Sequence, residues 1–411
     1  MNDTTLIGPS PARPRANALG ALARRIALAQ LAQLQEGTLR LREGDSVLAI
    51  GAERTGVDAM LTVDDPAFYA ELAFGGSVGA GESYMLGHWR ADDLTSLMRL
   101  MLRNRAALDG METGLARVSA PLRLAAHWLH RNTRTGSQRN IIAHYDLGND
   151  FFRLFLDETM MYSCALFERP DMTLAEASAA KLDRICRKLE LGPQDHVLEI
   201  GTGWGGFALH AAGRYGCRVT TTTISPSQYE LARERVRAAG LEDRITVLLE
   251  DYRDLRGTYD KLVSIEMIEA IGHQYFGEFF HRCTERIVPA GKMLLQSITI
   301  ADRHYVRARD EVDFIKRYIF PGCCIPAVSA LLQAMAESSD LRIVHLEDIG
   351  PHYATTLARW RENFLAKLEH VRALGYPETF IRMWEFYLCY CEAGFAERLL
   401  GDVQMVLTRE G

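Results

Sequence analysis

The residues that could do chemistry gather first in the stretch 196–206, His-Val-Leu-Glu-Ile-Gly-Thr-Gly-Trp-Gly-Gly, where an acid precedes closely spaced glycines. Its apolar half predicts a buried strand that carries the carboxylate of Glu199, and a helical pattern begins at Phe207. A strand that breaks into a glycine turn and a helix brings bare backbone close to a nucleotide-like ligand, because a Cβ would block the approach. The stretch therefore predicts a nucleotide-type cofactor at Gly201, Gly203 and Gly205.

The position of the acid decides which cofactor this turn favours. The spacing Gly201-x-Gly203-x-x-Gly206 fits the dinucleotide fingerprint, which requires a further acid at the end of the second strand. The predicted second strand ends instead in 221–225, Thr-Thr-Thr-Ile-Ser, and the acid lies inside the first strand. That Glu-x-Gly-x-Gly arrangement resembles motif I of class I S-adenosylmethionine (SAM) methyltransferases. We therefore expect SAM, with an NAD-type cofactor and a purely structural turn as the alternatives.

Short motifs along the chain identify a family by resemblance. In chain order they are His144-Tyr-Asp-Leu-Gly, Tyr162-Ser-Cys-Ala, Glu199-x-Gly-x-Gly-Trp-Gly-Gly, Thr223-Ile-Ser, Asp251-Tyr-Arg-Asp, Tyr318-Ile-Phe-Pro-Gly and His352-Tyr353. They resemble those of cyclopropane fatty acyl phospholipid synthases and the related mycolic acid cyclopropane synthases. The stretch 81–89 extends the resemblance into an N-terminal region that the mycolic acid enzymes lack.

The resemblance implies methylene transfer to the alkene of an unsaturated acyl chain in a membrane phospholipid. The alkene attacks the SAM methyl group, a carbocation results, and loss of a proton closes a cyclopropane ring. The residues that the resemblance places around SAM are Tyr162, Ser163, Glu199, Gly201, Gly203, Trp204, Gly205, Thr223, Ile224, Gln228, Asp251 and Tyr252. Gln228 would replace the missing strand-two acid at the ribose; the alternative is that Thr223 and Gln228 cap the helix that starts at Pro226.

The carbocation needs stabilisation by groups that do not trap it. Aromatic faces do this through their quadrupole, and the candidates are Tyr145, Tyr353, Phe151 and Phe167. Tyr145 and Tyr353 lie inside family motifs, whereas ordinary core packing is the alternative for the other two.

The proton needs a base, for which the resemblance implies a bound bicarbonate ion. The matching ligands are Cys164, Glu269, Gln296, Ile298 and Tyr353. Gln296 stands where many members have His, and Ala270 follows Glu269 where a His is also usual. Because a Gln amide can supply the hydrogen bond that a neutral His would give, we expect bicarbonate still to bind here. Gln cannot titrate, so a proton relay through a His at this position is not expected. The rival hypothesis makes Glu269 itself the base.

Strands alternate with helices from residue 173 onward, which predicts a parallel, doubly wound sheet. The expected strands are 196–200, 217–223, 244–249, 260–266 and 292–300, with a late pair at 341–347 and 403–409. The fold class is therefore α/β. The resemblance implies a seven-stranded, Rossmann-like class I SAM methyltransferase sheet with helical insertions, preceded by a smaller α+β domain.

The chain divides into four predicted segments. They are a disordered N-terminus (1–17), an N-terminal lipid- or membrane-associated domain (18–111), a basic linker (112–139) and the catalytic domain (140–411). Within the second segment we expect a helix at 18–34, strands after Gly37 and Gly56, a glycine-rich turn followed by an aromatic-bearing segment over 75–89, and a helix at 94–108. The first helix either packs in the core or lies on a membrane surface.

The composition narrows the classes of function. The 411 residues carry a net charge of −6, so nothing indicates nucleic-acid binding, and no apolar run reaches the roughly 20 residues of a membrane span. The eight cysteines show no metal-ligand spacing, which suits free thiols in a cytoplasmic protein. The resemblance implies that this protein is peripherally associated with the inner face of the membrane. The sequence leaves open a monomer or a homodimer. The competing functions are a lipid C-methyltransferase and a catalytically silent lipid-binding protein.

Overall fold

The structure, a computed structural model, describes residues 18–51, 56–105 and 147–410. In its N-terminal part, helices pack on a four-stranded sheet of order β2-β1-β3-β4. These elements are α1 (Ala18–Leu31), β1 (Thr38–Glu43), β2 (Ser46–Gly51), β3 (Asp58–Val63), α2 (Ala67–Met85), β4 (Trp89–Ala91) and α3 (Leu94–Arg103). The expected helices at both ends of this part are present, as are the strands expected after Gly37 and Gly56.

Helix α2 departs from the sequence-based expectation. The sequence predicts a glycine-rich turn and an aromatic-bearing segment over 75–89, but the helix continues through most of that stretch with a kink at Gly76, whose φ is 60°. The glycines serve close packing: a Cβ on Gly79 would collide with the backbone oxygen of Glu71, and one on Gly81 with the ring of Phe314. The glycines of α2 therefore allow the helix to pack tightly, although the same residues in a short stretch of sequence predict a turn.

Residues 147–410 form the larger part of the described chain. Its elements are α4 (Asn149–Phe152), α5 (Leu174–Leu189), β5 (His196–Ile200), α6 (Gly206–Tyr215), β6 (Arg218–Thr223), α7 (Pro226–Ala238), β7 (Ile245–Leu249), β8 (Tyr259–Ile265), α8 (Phe276–Arg286), β9 (Ile287–Ile300), α9 (Asp302–Asp310), α10 (Val328–Ser338), β10 (Leu341–Asp348), α11 (Pro351–Ala366), α12 (Leu368–Ala373), α13 (Glu378–Ala396) and β11 (Leu400–Arg409). Two short 3₁₀ turns, Ile268–Ala270 and His273–Tyr275, follow β8, and a π-helical segment, Ile315–Ile319, follows α9.

Seven strands form one mixed sheet in the order β10-β11-β9-β8-β5-β6-β7. Strands β5 to β9 run parallel, whereas β11 is antiparallel to its neighbours β9 and β10. The predicted Rossmann-like fold with a smaller N-terminal region of helices and strands is confirmed. Because parallel strands end at one edge of the sheet, the ends of β5, β6 and β8 bring Glu199, Thr223 and Glu266 to the wall of one cavity.

The two faces of the sheet are buried by different helices. Alternate residues of a strand point to opposite faces, so Val197 packs with α5 and α6, while Leu198 packs with α8 and α10. Thr173 starts α5 with a reciprocal capping box to Glu176, which fixes where that helix enters the layer.

The N-terminal region packs firmly on the catalytic region. Glu82 of α2 accepts the hydroxyl of Tyr318 at 2.5 Å and pairs with Arg317 at 2.9 Å, both on the insertion between β9 and β10. Tyr84 of α2 donates to Glu385 of α13 at 2.9 Å. The two regions therefore share one core, and α2 holds the insertion in place.

Some predictions fall beyond the described residues. The N-terminal segment 1–17 and the linker 112–139 are outside them, so the domain boundaries remain predictions. Within the described ranges, no helix is both long and apolar enough to cross a bilayer. All eight cysteines are unpaired.

Candidate active site

A cavity of about 580 Å³ runs from the glycine turn after β5 to the N-terminal region. Its polar end is walled by the carboxyl ends of β5, β6 and β8. Apolar residues such as Leu61, Leu72 and Met98 wall the far end. A cavity with these two ends can hold a polar ligand and a hydrocarbon chain end to end.

The glycine turn presents bare backbone to the polar end. Gly201, Gly203 and Gly205 have φ values of 104°, 51° and 84°, which disfavour any residue with a Cβ. Gly201 and Gly203 line the cavity, and a Cβ built on Gly203 would meet no atom within 4 Å. Gly205 instead lies behind the cavity wall, where it caps α6 and faces Ala232. The predicted cofactor role therefore suits Gly201 and Gly203, and Gly205 shapes the turn.

The acid of the turn is buried beside the cavity. Glu199 is 3% exposed, and the Thr221 hydroxyl lies 2.6 Å from its Oε2 and 2.7 Å from the hydroxyl of Thr202. Burial raises the pKa of Glu199 to about 8, although Thr221 and the charge of Lys181 oppose the rise. Such a carboxyl group can bond ligand hydroxyls at the cavity edge.

The end of β6 supplies a hydroxyl and an amide. Thr223 donates to Gln228 Oε1 at 2.8 Å, and both residues line the cavity together with Ile224. The side chain that caps α7 is Ser225, which accepts the backbone N–H of Gln228. The alternative in which Thr223 and Gln228 serve as helix caps is therefore wrong.

The end of β7 leads into an ion pair. Arg253 binds both oxygens of Asp251, at 2.9 and 2.6 Å, and Tyr252 lies beside them with its ring 5.7 Å from that of Phe279. Asp251 and Tyr252 line the cavity, as predicted for cofactor-binding residues.

Three further residues predicted near the cofactor also line the cavity. The hydroxyl of Tyr162 lies 2.8 Å from that of Tyr387, and Ser163 accepts the ammonium of Lys181 at 2.7 Å. Trp204 is 2% exposed. These contacts fix the wall of the cavity on the side of α5.

Glu266 is the centre of the second half of the site, and the sequence analysis did not single it out. It follows β8 with a φ of 47°, a conformation that is uncommon outside glycine and recurs at functional sites. Its Oε1 accepts the backbone N–H of Cys164 and Nε2 of Gln296, both at 2.8 Å. Its Oε2 accepts the hydroxyl of Tyr353 at 2.6 Å. Burial raises the pKa of Glu266, and these three donors and the charge of Lys181 oppose the rise.

The groups expected to hold bicarbonate are already paired with carboxyl groups of the chain. The predicted ligands are Cys164, Glu269, Gln296, Ile298 and Tyr353. Three of them bind Glu266, and the backbone N–H of Ile298 donates to Glu269 at 2.5 Å. A further anion would meet an ionised carboxylate and donors that are already used. The described residues therefore do not fit a bicarbonate ion.

Glu269 lines the same cavity but differs from Glu266 in its hydrogen bonds and its protonation. Its Oε1 accepts the Ile298 N–H and the Ser297 hydroxyl, while its buried Oε2 has no hydrogen-bond partner among the described residues. Burial and the charge of Glu266 raise the pKa of Glu269 to about 8. At neutral pH Glu269 is mostly protonated, so it is a poor base.

Asp402 of β11 lies behind Glu266 and shares a donor with it. Nε2 of Gln296 donates to Asp402 Oδ2 at 2.9 Å. Burial and the charge of Glu266 raise the pKa of Asp402 well above its usual range, so Asp402 holds the proton and Glu266 is the ionised partner. The fully buried ammonium of Lys181 offsets that charge.

The four aromatic residues predicted to face the carbocation differ in where they lie. Tyr145 lies outside the described residues. The ring of Phe151 is 4.9 Å from that of Trp384 in a buried aromatic core, and neither it nor Phe167 lines the cavity. Tyr353 does, with its ring stacked on Phe395 at 4.3 Å. Phe151 and Phe167 are therefore not positioned to face a cation in the cavity.

Sequence reasoning missed Glu266, Asp402 and Lys181. An acid at the carboxyl end of a parallel strand is a usable signal, and Glu266 carries it. No local pattern points to Asp402 or Lys181, because β11 and α5 reach the site only through the tertiary fold.

Comparison with known proteins agrees with this geometry. The family model described as mycolic acid cyclopropane synthetase matches residues 132–405. The tuberculostearic acid methyltransferase UfaA1 of Mycobacterium tuberculosis is 38% identical over 408 residues, covering 98% of this chain and 94% of that protein. The cyclopropane-fatty-acyl-phospholipid synthase of Escherichia coli is 38% identical over 358 residues, covering 85% and 88%. The structure of mycolic acid cyclopropane synthase CmaA1 complexed with SAH and CTAB is similar with a TM-score of 0.62 and 31% identity, covering 66% of this chain and 98% of that one.

Proposed function

The chain belongs to the mycolic acid cyclopropane synthetase family, and from this premise we propose that it transfers a one-carbon unit from SAM to the double bond of an unsaturated acyl chain. The proposed product is a cyclopropane ring in a phospholipid acyl chain. The observation that carries the proposal is the Glu266 carboxylate, held by three donors at the wall of a cavity that joins a glycine turn to an apolar pocket.

The polar end of the cavity suits SAM. Gly201 and Gly203 allow close approach to the backbone, and Glu199, Gln228 and Asp251 supply polar groups around them. When bound, SAM supplies an electrophilic methyl carbon that the π electrons of the alkene can attack. The chain's contribution to this step is to orient the alkene and the methyl carbon toward each other.

Glu266 is the proposed base. A proton on the transferred carbon passes to the carboxylate of Glu266, and the electron pair of the broken C–H bond closes the third side of the ring. A positioned base typically contributes 10²–10⁴-fold to rate. This account needs no bicarbonate, because the donors predicted for that ion already hold Glu266.

Aromatic faces around the cavity stabilise the cation without trapping it. The rings that line it include Tyr162, Phe320, Tyr353, Tyr387 and Phe395. Each face over a cation is worth about 0.5–2 kcal/mol. The hydroxyl of Tyr353 donates to Glu266, which fixes the ring of Tyr353 at the cavity wall.

The apolar end suits the hydrocarbon chain of a lipid. Leu61, Leu72 and Met98 of the N-terminal region wall it, and each buried CH₂ contributes about 0.8 kcal/mol. We propose that the enzyme takes this chain from phospholipid at a membrane surface, with which it associates peripherally.

A second candidate is a C-methyltransferase that leaves a methyl or methylene branch. It is favoured by the similarity to tuberculostearic acid methyltransferase UfaA1 over 98% of this chain. Both reactions share the first step. Loss of a proton from a neighbouring chain carbon gives a methyl-branched alkene, whereas a hydride shift to the cationic carbon followed by loss of a methyl proton gives a methylene branch.

The test is incubation with SAM and vesicles of unsaturated phospholipid, followed by mass spectrometry of the acyl chains before and after ozonolysis. We expect a gain of CH₂ in a product that ozone does not cleave. A gain of CH₂ in an ozone-sensitive product would establish the branched alternative. SAM binding with no gain of mass would contradict both.

A further inference from the structure

A line of buried polar side chains runs through the sheet behind Glu266. The ammonium of Lys188 on α5 donates to Gln404 Oε1 at 2.8 Å, and Gln404 Nε2 donates to Gln296 Oε1 at 3.1 Å. Gln296 Nε2 then donates to Glu266 Oε1 at 2.8 Å. The two glutamines stand opposite each other in the β9–β11 register, and neither is exposed. Lys188 and Gln404 lie outside the cavity wall.

The hydrogen bonds along this line can run favourably in only one direction, from Lys188 to Glu266. An ammonium has donors and no acceptor, so Gln404 must turn its oxygen toward Lys188 and its nitrogen toward Gln296. Gln296 must then accept with its oxygen and direct its nitrogen toward Glu266. A reversal of either amide would set donor against donor or oxygen against carboxylate, and buried groups left unpaired are costly.

We propose that Lys188 and Gln404 are positioning residues of the transfer reaction, which hold the Gln296 amide nitrogen toward Glu266 and so keep that carboxylate aimed into the cavity. The inference rests on the proposed role of Glu266 as base. It explains why position 296 does not need a titratable residue. The Gln296 amide serves as a fixed donor, and its orientation is set by Lys188 through Gln404.

Loss of the fixed orientation of the Gln296 amide should make Glu266 harder to ionise. With Gln296 free to turn, Glu266 loses one of its three donors, which disfavours the charged form and raises its pKa. The other groups that bear on the charge of Glu266 are Cys164, Lys181, Glu269, Tyr353 and Asp402. None of these residues is replaced in Lys188→Met or Gln404→Leu, and the only one that shares the Gln296 donor is Asp402, so a shift reports the turning of that amide.

The experiment compares Lys188→Met and Gln404→Leu with the wild type in kcat, KM for SAM and the pH profile of kcat. We expect a kcat lower by about tenfold, a KM for SAM within about twofold, and an acidic limb displaced upward by about one pH unit, since a lost hydrogen bond to a charged group acts on this scale. Lys188→Arg keeps a donor-only group and should restore the wild-type limb.

Arg184→Met is the matched control. Arg184 lies on the same helix and binds the same Glu347 carboxylate as Lys188, at 3.0 Å, but does not touch Gln404. We expect its kcat and pH profile to equal those of the wild type. The proposal would be overturned if the acidic limb of the pH profile stayed at its wild-type position in both Lys188→Met and Gln404→Leu. It would also be overturned if the limb moved by the same amount in Arg184→Met.

Infrared titration gives a second readout without turnover. The carboxyl band that disappears in Glu266→Gln reports the protonation midpoint of Glu266 in the protein alone. We expect the midpoint to rise in Lys188→Met and not in Arg184→Met. If the wild type transferred no carbon while this midpoint moved as expected, the proposed function would fail and the positioning role would stand. An unmoved midpoint would overturn the positioning role.

Discussion

Among single residues, the site depends on which of three neighbouring carboxyl groups is ionised. Glu269 and Asp402 keep their protons because burial and the charge of Glu266 raise their pKa values. Glu266 carries the charge because three donors and the nearby Lys181 favour it. Because burial also raises the pKa of Glu266, its carboxylate is a stronger base than an exposed carboxylate.

The raised pKa of Glu269 predicts a pH-dependent stability. Its pKa rises from 4.5 to about 8 on folding, so the native state keeps a proton that the unfolded state releases. The free energy of unfolding should therefore fall as the pH rises from about 5 to 8, by up to about 1.4 kcal/mol per pH unit from this group. Glu269→Gln should flatten this dependence in urea unfolding measured across that range. The exposed Glu230→Gln is the control, and an unchanged slope in Glu269→Gln would contradict the assignment.

At the scale of elements, the ends of parallel strands place the reacting groups, and this part was predictable. The glycine turn after β5 and the residues after β6 and β7 can be found because strand and helix periodicities alternate regularly there. Glu269 and Gln296 were found through motifs, but their hydrogen bonds depend on the pairing of β9 with β11. The sequence around Gly79 predicts a turn, whereas Gly79 lies in a helix and packs on the backbone of Glu71. That contact depends on the kink in α2, which a short stretch of sequence does not reveal.

The turn after β5 predicts a selective loss of cofactor binding. In Gly203→Val the added side chain would point into the polar end of the cavity and also strain the backbone, because φ is 51°. We expect SAM affinity by calorimetry to fall at least 100-fold. Gly240→Val is the matched control, since Gly240 has a φ of 65° and equally open space but lies at the end of α7, outside the cavity wall. Equal SAM affinity of the two variants would mean that the turn does not face the cofactor.

At the scale of the whole molecule, the cavity crosses from the catalytic region into the N-terminal region. The family resemblance predicted an N-terminal domain concerned with lipid, but not that its residues would continue the wall of the catalytic cavity. The shared core and the contacts of Glu82 with the insertion hold the two ends of the cavity in register. Chain-length preference should therefore depend on residues far in sequence from the glycine turn.

This arrangement predicts that a substitution on α3 changes the preference for acyl-chain length. Met98 is 7% exposed and lines the apolar end, so Met98→Trp should shorten the space for the hydrocarbon chain. We expect turnover of long acyl chains to fall at least tenfold, shorter chains to be retained, and SAM affinity to stay unchanged. Met98→Leu conserves volume and should keep the wild-type profile. An identical chain-length profile in Met98→Trp would place the hydrocarbon elsewhere.

The most direct test of Glu266 as base is turnover in buffer stripped of CO₂, with bicarbonate then added back. The wild type should be fully active in stripped buffer and unaffected by the addition, while Glu266→Gln should lose 10²–10⁴-fold, the usual scale for a positioned base. Glu266→Gly would leave the donors of Cys164, Gln296 and Tyr353 unpaired, and bicarbonate should restore part of its activity. A wild type that is inactive in stripped buffer and recovers with bicarbonate would contradict the account.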